Sequence, residues 1–338
     1  MGKRVLLTGI GGFLGCHAFA HICDNTDWHV VGIDSFRHRG LTDRVTHMTA
    51  AHPEWKSRLT LHTHDLAAPF SDQMVKGFGN IDYIISMASE SHVDRSIADP
   101  VTFFQNNVNL TLTLLELARK VEPYAFVNIG TDEVYGPAEP GHRHVEWEAI
   151  LPSNPYAASK AAQEALAISY FRTYDVPVVL TNSMNLVGEL QHPEKFIPSV
   201  IRNVLAGQEQ IIHGSENNIG SRFYLHARDH SDAILFLLDK SPARYSNGDT
   251  RPDRYNIVGE KEFNNLDMAY MVAEIIGKPL KYRLVDFHLS RPGHDRRYAL
   301  SSSKMEELGW TPALGIESTI RSTVEWYMRP MNRKWLDI

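Results

Sequence analysis

The sequence predicts an α/β fold built on a doubly wound parallel sheet, with a smaller, interleaved C-terminal lobe. Three observations carry that prediction. Short apolar runs alternate with helical stretches through the first half of the chain, a glycine-rich turn joins the first run to the first helix, and after about Asn182 the rhythm loosens. Alternation of this kind implies right-handed crossovers between parallel strands. The 338 residues are 43% apolar and 22% charged, an ordinary globular composition with length for about two domains. With 34 Lys and Arg against 40 Asp and Glu, the net charge is −6, which argues against nucleic acid or an anionic membrane as partner. No run approaches the roughly 18 apolar residues of a membrane span.

Taken in order, strands are expected at Arg4–Thr8, His29–Ile33, Leu59–Thr63, Ile81–Ser86, Ala125–Ile129 and Val176–Leu180. Each reads as the near-continuous apolar run of a strand buried on both faces. Pro100 can occupy the first turn of a helix over Pro100–Val121, and Pro123 lies just beyond its end. Pro155 likewise opens a helix to about Tyr174. Further on, Phe196–Ala206, Ala227–Leu238, Leu266–Ile276, Ser303–Leu308 and Ile316–Met328 read as helices, while Gly214–Gly220 and Ser241–Asp253 read as polar loops.

Between the first strand and the first helix stands Thr8-Gly9-Ile10-Gly11-Gly12-Phe13-Leu14-Gly15. Glycines at 9, 12 and 15 permit positive φ and let a pyrophosphate approach bare backbone, and a helix N-terminus offers it free N–H groups. Asp34 closes the second strand, where an acid can accept hydrogen bonds from both ribose hydroxyls and so favours NAD. Arg37 and Arg39 follow and could instead meet a 2′-phosphate. The turn is therefore read as the dinucleotide site of a Rossmann-type domain.

Tyr156 and Lys160 lie four apart on one face of a helix that follows the fifth strand. An ammonium beside a phenol stabilises phenolate, and phenolate can take an alcohol's proton. The bland alternative is a surface lysine and a half-buried tyrosine. Thr131-Asp132-Glu133 follows the fifth strand directly. Two adjacent carboxyls there are costly if buried and idle. They read either as a solvated acidic loop or as an acid–base pair, one carboxyl held protonated by its neighbour's charge.

With these residues in place, the sequence resembles the extended short-chain dehydrogenase/reductases, and within them the nucleotide-sugar 4,6-dehydratases. The resemblance covers nearly the whole chain. It is carried by the glycine turn, Ser89-Glu90-Ser91-His92-Val93-Asp94-Arg95-Ser96-Ile97, Thr131-Asp132-Glu133-Val134-Tyr135-Gly136 and Tyr156-Ala157-Ala158-Ser159-Lys160. Gln191-His192-Pro193-Glu194-Lys195, Tyr255-Asn256-Ile257, Arg291-Pro292-Gly293-His294-Asp295-Arg296-Arg297-Tyr298 and Leu308-Gly309-Trp310-Thr311-Pro312 add to it. Relatives that epimerise or decarboxylate do not usually carry Asp-Glu after the Thr.

The resemblance implies a hydro-lyase with bound NAD, turning an NDP-glucose, dTDP-glucose by first expectation, into the 4-keto-6-deoxy sugar and water. The steps implied are oxidation at C4, elimination across C5–C6 and hydride return to C6. Tyr156 would take the 4-hydroxyl proton, Lys160 hold the phenolate and the nicotinamide ribose, and Thr131 bond the 4-oxygen. Glu133 would take the C5 proton, and Asp132 protonate the leaving 6-hydroxyl. For the cofactor the implied set is Gly9, Gly12, Phe13, Leu14, Gly15, Asp34, Asp65, Leu66, Ala88 and Asn107, with Tyr156 and Lys160. For the nucleotide sugar it is Glu90, Ser91, Asn185, Lys195, Phe196, His213, Arg222, Asn256, Arg291 and His294. Residues 1–182 with about 223–257 would form the NAD-binding domain, and about 183–222 with 258–338 the nucleotide-sugar-binding lobe.

The same resemblance implies a homodimer that pairs Pro100–Val121 and Pro155–Tyr174 in a four-helix bundle. The sequence departs from the family pattern at the base-binding end. His213 replaces a base-stacking Tyr, the Gly214–Gly220 loop is about two residues longer, Ser86 replaces a His, and Leu186-Val187 replace Asn-Tyr. A UDP-sugar 4,6- or 5,6-dehydratase and a 4-epimerase stay open as alternatives, and a non-catalytic dinucleotide-sensing module more remotely so.

The remaining features read blandly. Cys16 and Cys23 are seven apart in one helix, a rise of about 10.5 Å that no disulfide spans, and two free thiols suit the cytoplasm. Lys3-Arg4, an apolar stretch and Ala18-Phe19-Ala20 mimic a secretory signal, but four glycines break the stretch. His17 with His21 and His226 with His230 have the spacing of helical zinc ligands without an acid or Cys companion, and His142 and His144 read as solvated, so no metal is expected.

Overall fold

The computed structural model describes residues 2–38, 40–216, 218–240, 250–286 and 295–337. Seven parallel strands form the central sheet, in the order β11-β6-β5-β4-β1-β2-β3. They are β1 (Arg4–Thr8), β2 (His29–Asp34), β3 (Leu59–Thr63), β4 (Tyr83–Ser86), β5 (Ala125–Ile129), β6 (Val178–Ser183) and β11 (Asp253–Ile257). The strand order reverses between β1 and β4, and in such sheets ligands bind outside the carboxyl ends at that point. One face is covered by α1 (Phe13–Asn25), α2 (Leu41–Ala51) and α8 (Ala227–Lys240). The other is covered by α3 (Asp72–Phe78), α5 (Pro100–Val121) and α6 (Pro155–Tyr174), with α4 (Val93–Ala98) at its edge.

The lobe holds two three-stranded sheets. One orders β12 (Glu262–Asn264), β10 (Ser221–His226) and β7 (Asn185–Val187); the other orders β13 (Lys281–Val285), β8 (Glu209–Ser215) and β9 (Asn218–Ile219). Helices α7 (Phe196–Ala206), α9 (Asn265–Ile276) and α11 (Ile316–Met328) pack on them in a second apolar core. The remaining helix, α10 (Ser303–Glu307), lies against β11.

Several elements differ from the sequence reading for identifiable reasons. Strand β6 starts two residues later than expected and ends in Thr181-Asn182-Ser183, all buried. Those polar residues do not look like a strand, yet each has a place under the functional loop. The expected loop over Gly214–Gly220 is largely a hairpin, in which Gly214 pairs with Ile219 and Ser215 with Asn218. Strand β11 was not expected at all, because Asp253 and Arg254 interrupt its apolar run and Arg254 is buried only through a distant partner. Most of the loop expected over Ser241–Asp253 lies outside the described residues. Residues 303–310 do not belong wholly to the lobe: Met305 and Trp310 enter the core under the central sheet, and the Trp310 indole donates to Asp232 at 2.8 Å.

Both cysteines are free and buried in α1. Two of the histidine readings also change. His142 and His144 are not simply solvated: one ring nitrogen of each meets the same oxygen of Glu148, at 3.0 and 2.7 Å, and with the Val145 N–H, the largest of the lowering influences, they hold that carboxyl down at about 2 against burial. These three groups have ligand atoms within 4.8 Å of one another, and His144 Nε2 is buried without a partner among the described residues. His226 does have an acid companion, Glu189 at 3.1 Å, and so does His21, with Asp232 at 3.3 Å.

Candidate active site

The first part of the site is the turn after β1. Gly9 has φ +70°, and a Cβ there would lie 2.9 Å from the Ala88 Cα; a Cβ on Gly15 would lie 1.9 Å from the Gly9 carbonyl oxygen. Only bare backbone lets strand, turn and helix approach so closely. Gly12 is the N-cap of α1, and Phe13, Leu14 and Gly15 form its first turn, whose N–H groups have no helical acceptor of their own. A cleft opens over this end, lined by Gly9, Gly12, Asp34, Asp65, Leu66 and Ala88 from the expected cofactor set. Asp34 accepts from the Gly11 and Phe36 N–H groups at 2.9 and 3.0 Å, which fixes its carboxylate beside the turn. The cradle fits a dinucleotide, with the pyrophosphate over the helix end and the acid by the ribose.

Three residues refine that picture. Glu90, expected at the sugar, lines the same cleft. Arg37 reaches across it to Asp65 and Glu90, both at 3.2 Å, and to the Asn106 side-chain amide oxygen, Oδ1, at 2.5 Å. With these partners Arg37 is committed to acids, so a 2′-phosphate would meet Asp34, Asp65 and Glu90 around it. Asn107 is corrected from a cofactor contact to a support. It is fully buried, accepts from the Glu90 N–H at 2.9 Å and donates to Ser159 Oγ at 2.9 Å.

The second part sits where β5 ends. Thr131 caps a short 3-10 turn, Asp132–Tyr135, by accepting from the Glu133 N–H at 3.4 Å, and donates to one Asp132 oxygen at 3.0 Å. The other Asp132 oxygen is buried with no partner among the described residues. Burial, then the charge of Glu133, pushes the Asp132 carboxyl up to about 7. The neighbour's charge is thus the lesser cause, not the main one expected. Glu133 is also raised by burial, against hydrogen bonds from Asn154 Nδ2 (3.1 Å) and the Tyr298 hydroxyl (3.4 Å) and the nearby charges of Arg222 and Lys195.

Tyr156 and Lys160 are buried on α6 beside this turn. The phenol is pushed up by burial and by both carboxylates, and a Thr131 hydrogen bond opposes them. Lys160 does not enter that balance. Its ammonium donates to the Ile129 carbonyl oxygen at 2.6 Å, and burial lowers it to about 8.

The nucleotide-sugar set is less uniform. Lys195 caps α7, next to Phe196, and donates to the Ser91 carbonyl oxygen at 3.1 Å, bridging lobe and sheet. Arg222 donates to the Asp295 and Arg296 carbonyl oxygens at 2.7 and 2.6 Å and lies over the Tyr298 ring. Asn185 on β7 and His213 on β8 are half-buried in the lobe. Asn256 is corrected: it is fully buried on β11, donating to the His144 carbonyl oxygen at 3.1 Å and accepting from Tyr135 at 3.4 Å, with no surface left for a sugar. Arg291 and His294 lie outside the described residues.

The sequence reading missed Asn154 and Tyr298, which hold Glu133. Asn154 sits at the N-cap of α6, so a capping signal was there to find; Tyr298 closes the Arg291–Tyr298 motif, but nothing in that motif tied it to Glu133, far back along the chain.

Fold and site together define an extended Rossmann protein of the short-chain dehydrogenase/reductase type. A family model described as GDP-mannose 4,6 dehydratase matches residues 6–323, and the chain belongs to that family. The dTDP-glucose 4,6-dehydratase of Escherichia coli is 35% identical over 99% of this chain and 94% of that protein. A Streptomyces venezuelae dTDP-glucose 4,6-dehydratase solved with NAD overlays with a TM-score of 0.86 at 32% identity, covering 98% of both chains. A Thermus thermophilus UDP-glucose 4-epimerase solved with NAD overlays at 0.83, with 26% identity and 97% and 100% covered.

Proposed function

We propose that this chain is a nucleotide-sugar 4,6-dehydratase, a hydro-lyase acting on an NDP-glucose, with dTDP-glucose as the first substrate to try. The observation that carries the reading is a buried carboxyl, raised by burial to about 7, next to a second carboxyl at the end of β5 and beside Tyr156 and Lys160 on α6. An epimerase needs the tyrosine and lysine but has no use for an acid poised to protonate a leaving hydroxyl. Gly9, Gly12, Asp34, Asp65, Leu66 and Ala88 would hold NAD, which when bound supplies reversible hydride acceptance.

The chain's own residues supply the proton movements. Tyr156 accepts the 4-hydroxyl proton, and Thr131 hydrogen-bonds the same oxygen. The resulting 4-keto group acidifies C5–H, Glu133 takes that proton, and Asp132 gives its own to the departing 6-oxygen as the C6–O bond breaks. Each positioned transfer is worth about 10²–10⁴ in rate. Arg222 and Lys195 suit the substrate diphosphate by charge.

No helix among the described residues is long and apolar enough to cross a membrane, and two buried reduced thiols fit the cytoplasm. A second copy of the chain would cover the exposed apolar stripe of Val101, Phe104 and Leu112 on α5, building a bundle with α6. Incubation with dTDP-glucose and UDP-glucose, reading product by mass, tests the function. A dehydratase product has lost one water; an unchanged mass with inverted C4 selects the epimerase, the reading favoured by the Thermus thermophilus overlay.

A further inference from the structure

One buried ion pair has no part in the chemistry above. Glu164 and Arg254 meet at 2.6 Å, each only 1% exposed by side chain. Glu164 stands one helical turn beyond Lys160 on α6, and Arg254 reaches it from β11. A buried pair is weak support for stability, since apolar residues of similar volume are often as good. Its surroundings suggest another role. The other Glu164 oxygen accepts from Asn182 Nδ2 at 2.6 Å, and the same amide donates to the Thr131 carbonyl oxygen at 3.1 Å. A Cβ on Gly130 would lie 2.9 Å from Glu164 Oε1 and 2.8 Å from Asn182 Nδ2. The carboxylate and amide thus press directly under the backbone that presents Thr131, Asp132 and Glu133.

We infer that Glu164 is a positioning residue for the dehydration, holding the Thr131–Glu133 turn through Asn182; the inference rests on the proposed function. The groups around Lys160 are few. Tyr156 lies one turn before it and Glu164 one turn after it on α6. Arg254 stands behind Glu164. Of these, Glu164 is the charge that opposes the burial of Lys160. Burial raises the Glu164 carboxyl itself, and Arg254, Asn182 and Lys160 resist that rise.

The test compares Glu164→Gln with the double variant Glu164→Gln/Arg254→Met, in which Arg254 is not left as an unpaired buried charge. Expected is a kcat loss of about tenfold or more at unchanged KM. Hydrogen exchange without substrate or dinucleotide should quicken for residues 130–136 and stay the same along α5. Parental kcat and exchange in either folded variant would overturn the proposal. If Glu164→Gln does not fold, the double variant carries the test alone. Glu133→Gln run in parallel separates the two readings: parental turnover there sinks the dehydratase mechanism, while the exchange result still decides the role of Glu164.

Discussion

The two ends of the cleft are built differently. At the reacting end, Thr131, Asp132, Tyr156 and Lys160 are buried, and their partners are side chains and carbonyls of the central sheet and α6. At the nucleotide end, Lys195, Arg222, Asn185 and His213 are half-buried and stand on lobe elements, and Lys195 and Arg222 spend hydrogen bonds on main-chain carbonyls of neighbouring loops. The first end is set before substrate arrives, which is what electrostatic catalysis requires. The second must exchange carbonyl partners for phosphate oxygens on binding. Damage at the reacting end should therefore appear in kcat, and damage at the nucleotide end in KM.

The largest effect is expected from Glu133→Gln. The amide keeps the shape and the partners Asn154 and Tyr298 but cannot take the C5 proton, so kcat should fall about 10³-fold. Dinucleotide content of the purified protein, read by absorbance after denaturation, should not change. An equal loss in KM and kcat would erase the contrast between the two ends.

Asp132→Asn comes next and should part activity from stability. On folding the Asp132 carboxyl rises from 3.8 to about 7, so the folded state binds a proton that the unfolded state has released. Below pH 3.8 both states are protonated and nothing is lost. As pH rises from there the cost grows, and above about 7 it is complete, on the order of 4 kcal/mol at most. The variant should lose about 10²-fold in kcat yet melt higher than the parent at pH 8, with the difference shrinking towards pH 4. The parent's own turnover should fall as pH climbs past about 7. A variant that melts lower at pH 8 would mean that Asp132 is ionised and satisfied there.

At the other end, Lys195→Ala removes one charge-assisted contact, and KM for the nucleotide sugar should rise about tenfold with kcat nearly unchanged. The choice of dinucleotide is a companion test. With Arg37 tied to Asp65 and Glu90, NADP should bind at least about tenfold more weakly than NAD by equilibrium titration.

The same contrast explains what could be read from the sequence. Helices α5, α6, α7 and α11 fell where proline, capping and apolar spacing placed them, and the glycine turn declared itself through local geometry. Those signals are short-range. Strand β11 needed Glu164, 90 residues away, to bury Arg254. The carboxyl end of β6 is polar because it underlies the Thr131 turn. Asn256 carried a plausible sequence motif, yet its amide is consumed between His144 and Tyr135. The protonation of Asp132 was expected in direction, but its main cause, burial, has no local mark in Thr-Asp-Glu.

Tyr298 belongs to both regions and offers the finest test. Its hydroxyl donates to Glu133 across a long 3.4 Å, and its ring lies 4.5 Å under the Arg222 guanidinium. Tyr298→Phe keeps the ring, and so the seat of Arg222, while deleting one weak bond to the base. KM should hold. The Glu133 carboxyl, relieved of a donor that lowers it, should move up, because a hydrogen bond to the charged form favours that form. The acid limb of kcat then shifts to higher pH, and the rate at neutral pH falls by about threefold, in keeping with a bond worth well under the ~1 kcal/mol of a well-formed one. A rise in KM without the shift would place Tyr298 with the nucleotide end, and the boundary between a preset and an adaptable half would have to be redrawn through Glu133 itself.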